Sequence, residues 1–273
     1  MTLEIALTWV ALAAYGLGST LGLAGLLGRR DRAPTAAAWA AAVGLAAQTV
    51  LLVHRWVRVG HGPYISAFEV LSSSTALAVL GLLIAWRRWP STRGALGPAL
   101  AVCAGLLVWA VTSSPAAHLL PPTFGGPWMF LHITFGKLAF VCALVASGVA
   151  TVYLVRQRHA APEDKAARKR LKHLDRLTHG FIVLGFVALT FMIVAGALWA
   201  RGAWGRYWSW DPLETWSLAT WVVYGLFLHA RLAFRVRGRA SAIAVLVLLA
   251  LTIVTFFIAA LVLPTVHTET MVS

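Results

Sequence analysis

Charge is what this sequence has least of. Only 12% of its 273 residues are Asp, Glu, Lys or Arg, and 60% are hydrophobic. An ordinary soluble domain carries about twice that charged fraction, so the composition excludes one. Acid is scarcer than base, with 9 Asp and Glu against 23 Lys and Arg. Cysteine is nearly missing as well: Cys103 and Cys142 stand alone in apolar stretches. Without a C-x-x-C pair there is no dithiol redox motif, and each thiol is expected to pack as a small hydrophobe. No internal repeat and no low-complexity tail interrupts the chain.

What is present is a series of apolar runs. Stretches of about 20 residues, each enough to cross a bilayer core, begin near Leu3, Ala36, Tyr64, Gly94, Trp128, Gly180, Trp216 and Ser241. They predict an all-α integral membrane protein of about eight transmembrane helices, residues 1–273 forming one polytopic domain. The run from Leu3 to Leu27 lacks a small-residue cleavage site after a basic start, so it is expected to be a retained span.

A net charge of +14 would suit a nucleic-acid binder if the cations shared one surface, but they are sorted by loop. Eighteen of the 23 follow alternate spans: Arg29, Arg30 and Arg32; Arg87, Arg88 and Arg93; eight between Arg156 and Arg176; four between Arg231 and Arg239. Such sorting is the signal that keeps loops on the cytoplasmic side. It predicts both termini on the extracytoplasmic side and the lipid bilayer, not nucleic acid, as the partner of the basic loops. Residues 156–176 read as a basic cytoplasmic connector carrying an amphipathic surface helix.

Six of thirteen Trp fall within residues 199–224, WARGAWGRYWSWDPLETWSLATWVVY. Trp204, Tyr207, Trp208 and Trp210 are too dense for one helical face, and a membrane-interface belt needs only one or two rings. Residues 199–216 therefore read as an aromatic platform on the outer face, with Trp216 opening the next helix. Asp211 before Pro212, with Glu214 in the first turn, is a helix start. His132 near the outer end of the fifth helix and His267 beyond the last span would lie on the same face as the platform. Two imidazoles across an aromatic slot suit a planar iron porphyrin, one axial nitrogen on each side. Arg206 and Arg201 are candidates for its propionates. His229 lies deep in the seventh helix, where an ionisable group marks function by default; His179 has a similar depth. In the segment RWVRVGHGPYISAFEVL, His61 sits in a turn and Glu69 enters the next helix, where it needs a partner such as Arg55 or Arg58. Lys137 is expected to snorkel to the interface.

Together these segments resemble the CcsA family, also called ResC, of system II cytochrome c biogenesis, haem-handling membrane proteins with a tryptophan-rich WWD signature. WGRYWSWDPLETW with the following LHAR resembles the family's W-G-x-Y-W-x-W-D-P-K-E-T-W core, with Leu213 in place of Lys. RWVRVGHGPYISAFEVL resembles its R-W-x-x-S-G-H-x-P segment, with Ala67-Phe68 departing from the Asn-containing pattern. The resemblance implies that His132 and His267 ligate an outer haem b and that His229 ligates one within the membrane. It implies a CcsB-type subunit supplying the remaining ligand, apocytochrome c with a C-x-x-C-H motif as acceptor, and a bacterial cytoplasmic or thylakoid membrane as location. The implied function is haem transport and covalent attachment as part of a cytochrome c synthase, with no certain catalytic residue. Two alternatives stay open: a HemX-like regulatory haem binder and a CcmC-like handler of system I, whose segment lacks the P-x-E-T-W continuation.

Overall fold

The computed structural model describes residues 3–28, 32–117, 120–161 and 163–263. His267 lies outside them. Within the described residues the chain is all helical, without strands: α1 Leu3–Gly28, α2 Ala33–Val59, α3 Ala67–Arg88, α4 Leu96–Thr112, α5 Pro127–Arg158, α6 Lys165–Trp204, α7 Pro212–Ala233 and α8 Arg239–Ile253. A 3₁₀ segment, Pro90–Ala95, joins α3 to α4, and a π-helical turn, Val254–Ala259, continues α8.

Seven of these helices, with the 3₁₀ and π segments joined to α4 and α8, are long and apolar enough to cross a membrane. The expected eighth, α7, is not among them. Its 22 residues would reach about 33 Å at 1.5 Å per residue, but Trp, Tyr, Ser, Thr and charged residues dilute its apolar character. Polar contacts hold it instead. Tyr224 Oη meets Thr252 Oγ1 at 2.8 Å and Thr220 meets Thr255 at 2.6 Å on the α8 side. Trp221 Nε1 donates to Thr190 Oγ1 of α6 at 2.9 Å. At the far end Arg231 pairs with Asp175 of α6 at 2.8 Å and donates to Ser241 of α8. Interhelical hydrogen bonds of this kind tie helices together where hydrophobic burial cannot.

The core is built around α5, whose middle turns from Ala139 to Ala150 are buried continuously. It packs along α6 over most of its length, while α1 lies between α2 and α4. Gly22 of α1 and Gly97 of α4 touch through their backbones: a Cβ on Gly22 would come within 2.7 Å of Gly97 Cα. Only small residues allow this approach. Cys103 and Cys142 are buried and unpaired with each other, as packing residues.

Two expected boundaries move. Residues 165–176 form no separate surface helix but the first turns of α6, a single helix of 40 residues capped by Asp164, whose carboxylate accepts from Ala166 N and Ala167 N. At its other end α6 runs through Trp204, so the aromatic segment is helical up to that point. Gly205, with φ 76°, ends it in the left-handed conformation that glycine adopts without strain. The loop proper is 205–211.

Candidate functional site: a histidine under an aromatic loop

Local sequence sets both ends of the loop. Asp211 is the N-cap of α7, its Oδ1 accepting from Glu214 N at 2.8 Å, with Pro212 at the first helical position. Glu214 reaches back, its Oε2 accepting from Ser209 N at 2.6 Å. The two acids thus fold the loop onto the start of α7. Trp210 takes a left-handed φ of 61°, uncommon for a bulky residue, and its ring meets Trp208 edge-on at 5.9 Å. Arg201 bonds Gly205 O and lies 5.7 Å over the Tyr207 ring.

His132 stands on α5, five residues after Pro127, and faces α6. Its Nδ1 lies 2.9 Å from Met192 O. A carbonyl there accepts from an Nδ1–H, and in the neutral ring that tautomer puts the lone pair on Nε2, the arrangement typical of metal-ligating histidines. Gly196 makes the fit possible: a Cβ at that position would come within 2.6 Å of Nδ1. Trp199 stacks alongside the imidazole at 6.4 Å and 18°. It is itself fixed by Nε1 donating to Thr123 O at 2.6 Å and by edge contacts with Phe124 and Trp204.

Between these pieces runs a cleft of about 40 Å³, walled by His132, Met192 and Gly196 on one side and by Trp204, Tyr207, Trp208 and Glu214 on the other. Of the residues singled out in the sequence, it gathers His132, Trp204, Tyr207, Trp208 and Glu214. Trp210 (70% exposed), Trp216 and Arg206 are exposed outside its walls. His229 is on another part of the molecule. It sits seventeen residues beyond Pro212, roughly 25 Å down the axis of α7, on an exposed face with Phe234 edge-on at 6.1 Å. His179 lies on α6 one turn after Asp175, its Nδ1 buried without a hydrogen-bond partner among the described residues.

A charged network adjoins the site through the loop that ends in Ile65. Arg55, fully buried, donates from Nε to Glu69 Oε1 at 2.7 Å, from Nη1 to Glu4 Oε2 and Pro115 O at 2.8 Å, and from Nη2 to Ala116 O at 2.8 Å. Arg58 and His54 complete the surroundings of Glu4, at 2.8 and 3.5 Å. The second oxygen of Glu69 accepts from Ile65 N and Ser66 N, and Ser66 Oγ accepts from Glu69 N, a reciprocal capping box at the start of α3. Lys137 does not snorkel outward: its Nζ donates to Ser73 Oγ at 2.5 Å and to Pro63 O at 3.4 Å. His61 is buried against Gly62 O and Tyr64. Burial, and then the Glu69 carboxylate, raise the Tyr64 phenol above its ordinary pKa. The loop so fastened ends at Ile65, which packs with Phe124, Met129 and Trp199. The network therefore supports the ring that flanks His132.

Glu69, Arg55 and the platform that begins at Trp199 stand out in the sequence; Glu4, Met192 and Gly196 do not. A glycine opposite a histidine leaves no mark in a single sequence. Glu4 carried a signal: a lone carboxylate opening an apolar helix needs a cation.

The model of the family described as Cytochrome C assembly protein matches residues 39–267. The cytochrome c biogenesis protein CcsA of Chlamydomonas reinhardtii is 34% identical over 200 residues, covering 71% of this chain and 57% of that protein. Its counterpart in Synechococcus sp. (strain CC9605) is 30% identical over 233 residues, covering 73% and 75%. Among solved structures, one titled cytochrome c heme lyase CcmF superposes over the whole of this chain and 49% of its own, with a TM-score of 0.70 at 22% identity, which shows a shared fold. The chain thus spans little more than half of the algal relative and about half of the lyase. On the strength of the family match and the relatives at 30% identity and above, the chain belongs to the cytochrome c assembly proteins, in their CcsA family.

Proposed function

We propose that the protein handles haem b for cytochrome c assembly, holding it at the His132 cleft on the extracytoplasmic face and presenting it to an apocytochrome. The observation that carries this reading is the setting of His132, with Nδ1 anchored on Met192 O and Trp199, Trp204, Tyr207 and Trp208 around the ring; Nε2 is the ligating nitrogen of this proposal. An apolar aromatic wall with one fixed imidazole fits a porphyrin face and its iron. A cleft of about 40 Å³ holds no more than a water or two, so haem enters as loop 205–211 lifts from α6. His267 is the second axial ligand of this proposal. Arg206, exposed on the loop, and Arg201 are the partners this proposal assigns to the propionates.

Attachment joins each thiol of the acceptor's C-x-x-C-H motif to a haem vinyl group. The sulfur bonds to one vinyl carbon and a proton adds to the other, with no net oxidation. The chain contributes position rather than a nucleophile. His229, exposed on α7, suits a ligand completed by a second subunit of CcsB type, in a bacterial cytoplasmic or thylakoid membrane. Replacing His132 by Ala is expected to abolish cytochrome c formation and to bleach the bis-histidine Soret and α bands of the protein purified with its partner, and added imidazole is expected to restore part of both. Wild-type spectra and yield in that variant would refute the assignment. Recovery of the chain without a CcsB-type subunit or c-type cytochromes would favour a regulatory haem binder.

A further inference from the structure

A second, roomier cavity lies far from the His132 cleft. About 1090 Å³ in volume, it opens where α1 ends, α2 begins, the 3₁₀ segment joins α3 to α4, α5 ends and α6 begins. Every apolar span that borders it terminates there, which is the depth of lipid headgroups on whichever side of the membrane this end lies. Arg93, Arg156, Lys169 and Arg170 line it. Among the described residues, none of the four has a carboxylate within ion-pair distance. The one acid in its wall, Asp164, is engaged in capping α6. Ser91, also in the wall, has its hydroxyl buried with no hydrogen-bond partner among the described residues. Leu26, Val155 and Leu171 supply an apolar side.

Four cations with no carboxylate at ion-pair distance among the described residues, a hydroxyl with no partner among them and an apolar flank are together the chemistry of a phosphate on a hydrocarbon chain. We infer that this cavity is a binding site for the phosphodiester headgroup of an anionic phospholipid. Arginine forks match phosphate oxygens, and basic pockets between membrane helices recognise such headgroups. Bound there, the phosphate joins the end of α5 to the start of α6 and to the 3₁₀ segment, neutralising the Arg156 and Arg170 side chains, which face the same cavity. It needs neither haem nor loop 205–211, so its failure leaves the proposed function untouched.

The test uses the full chain purified in a neutral detergent. Phosphatidylglycerol is titrated in mixed micelles, with phosphatidylcholine, inorganic phosphate and haemin in parallel, and thermal unfolding and native mass spectra are recorded. A saturable rise in Tm and a retained lipid adduct are expected with phosphatidylglycerol alone. The double variant R156Q/R170Q should weaken that binding roughly thirtyfold, from the usual contribution of two cations to an anionic headgroup. R87Q/R88Q, which removes equal charge outside the cavity, should leave it unchanged. The inference is overturned if phosphatidylcholine or inorganic phosphate produces the same shift, if haemin binds in a manner lost only in R156Q/R170Q, or if both double variants lose the lipid equally. Should R156Q/R170Q fail to fold, R93Q and K169Q take its place with a smaller expected loss, and full retention in both would be equally fatal.

Discussion

Replacing Arg55 by Leu should unfasten the loop that ends in Ile65 and packs on Trp199, the ring beside His132. Arg55 is wholly buried, and its guanidinium supplies four of the hydrogen bonds that hold Glu4, Glu69 and the 115–116 backbone. Leucine fills much of the volume but donates nothing. Glu69 keeps its bonds from Ile65 N and Ser66 N, whereas Glu4 keeps Arg58 and His54. Loss of one partner from a buried ion pair costs about 3–5 kcal/mol, because the remaining charge stays buried. Arg58 is partly exposed and offsets a fraction of that for Glu4, so the lower end, about 3 kcal/mol, is expected. Glu69→Gln removes charge but keeps an acceptor and should cost less, about 1.5–3 kcal/mol as for a hydrogen bond to a charged group. Denaturant unfolding in detergent micelles, followed by tryptophan fluorescence, ranks the variants. Hydrogen exchange at the Ile65 and Ser66 amides locates the damage. If Arg55→Leu unfolds within about 1 kcal/mol of wild type and both amides stay protected, the network does not fasten the loop.

Gly196→Ala is expected to displace His132 without touching its chemistry, since the new methyl would sit 2.6 Å from Nδ1; haem content should fall severalfold while cytochrome-free protein remains folded, and an unchanged Soret band would count against the ligand geometry. Asp211→Ala should cost about 1 kcal/mol of stability through loss of the cap and loosen loop 205–211, seen as faster exchange at the Glu214 amide; retained protection there would show that Glu214 alone holds the loop. His229→Ala, at an exposed position, should leave Tm unchanged while lowering haem delivery, and a drop in stability would mark it as a packing residue instead.

Element number and order were legible because the apolar runs and the loop cations repeat. The start of α7 was legible from Asp211, Pro212 and Glu214, whose capping chemistry is local. Its membrane character was less so. An apolar count starting at Trp216 credits Trp and Tyr as hydrophobic, yet Trp221 and Tyr224 spend their polar ends on bonds to Thr190 and Thr252. The end of α6 was misplaced because Trp199 to Trp204 read as loop, while the terminator is Gly205. Lys137 was misread for a related reason. Its partners, Ser73 and Pro63, are more than sixty residues away in sequence, and no helical period connects them.

Glu4 sharpens the point. It lies on α1, ahead of residues 39–267 that match the family, yet its carboxylate holds Arg55, Arg58 and His54 of α2. A carboxylate with 3% of its residue surface exposed would be costly without those cations, so α1 is tied electrostatically to α2 at the level of the loop that ends in Ile65. From Ile65 the contact passes to Trp199, and from Trp199 to His132. A helix outside the matched region thus bears on the geometry of the proposed ligand through a relay from Glu4 to Arg55, Glu69, Ile65, Trp199 and His132. A chain trimmed to the matched region would retain His132, Met192 and the aromatic loop while leaving Arg55 with one carboxylate in place of two.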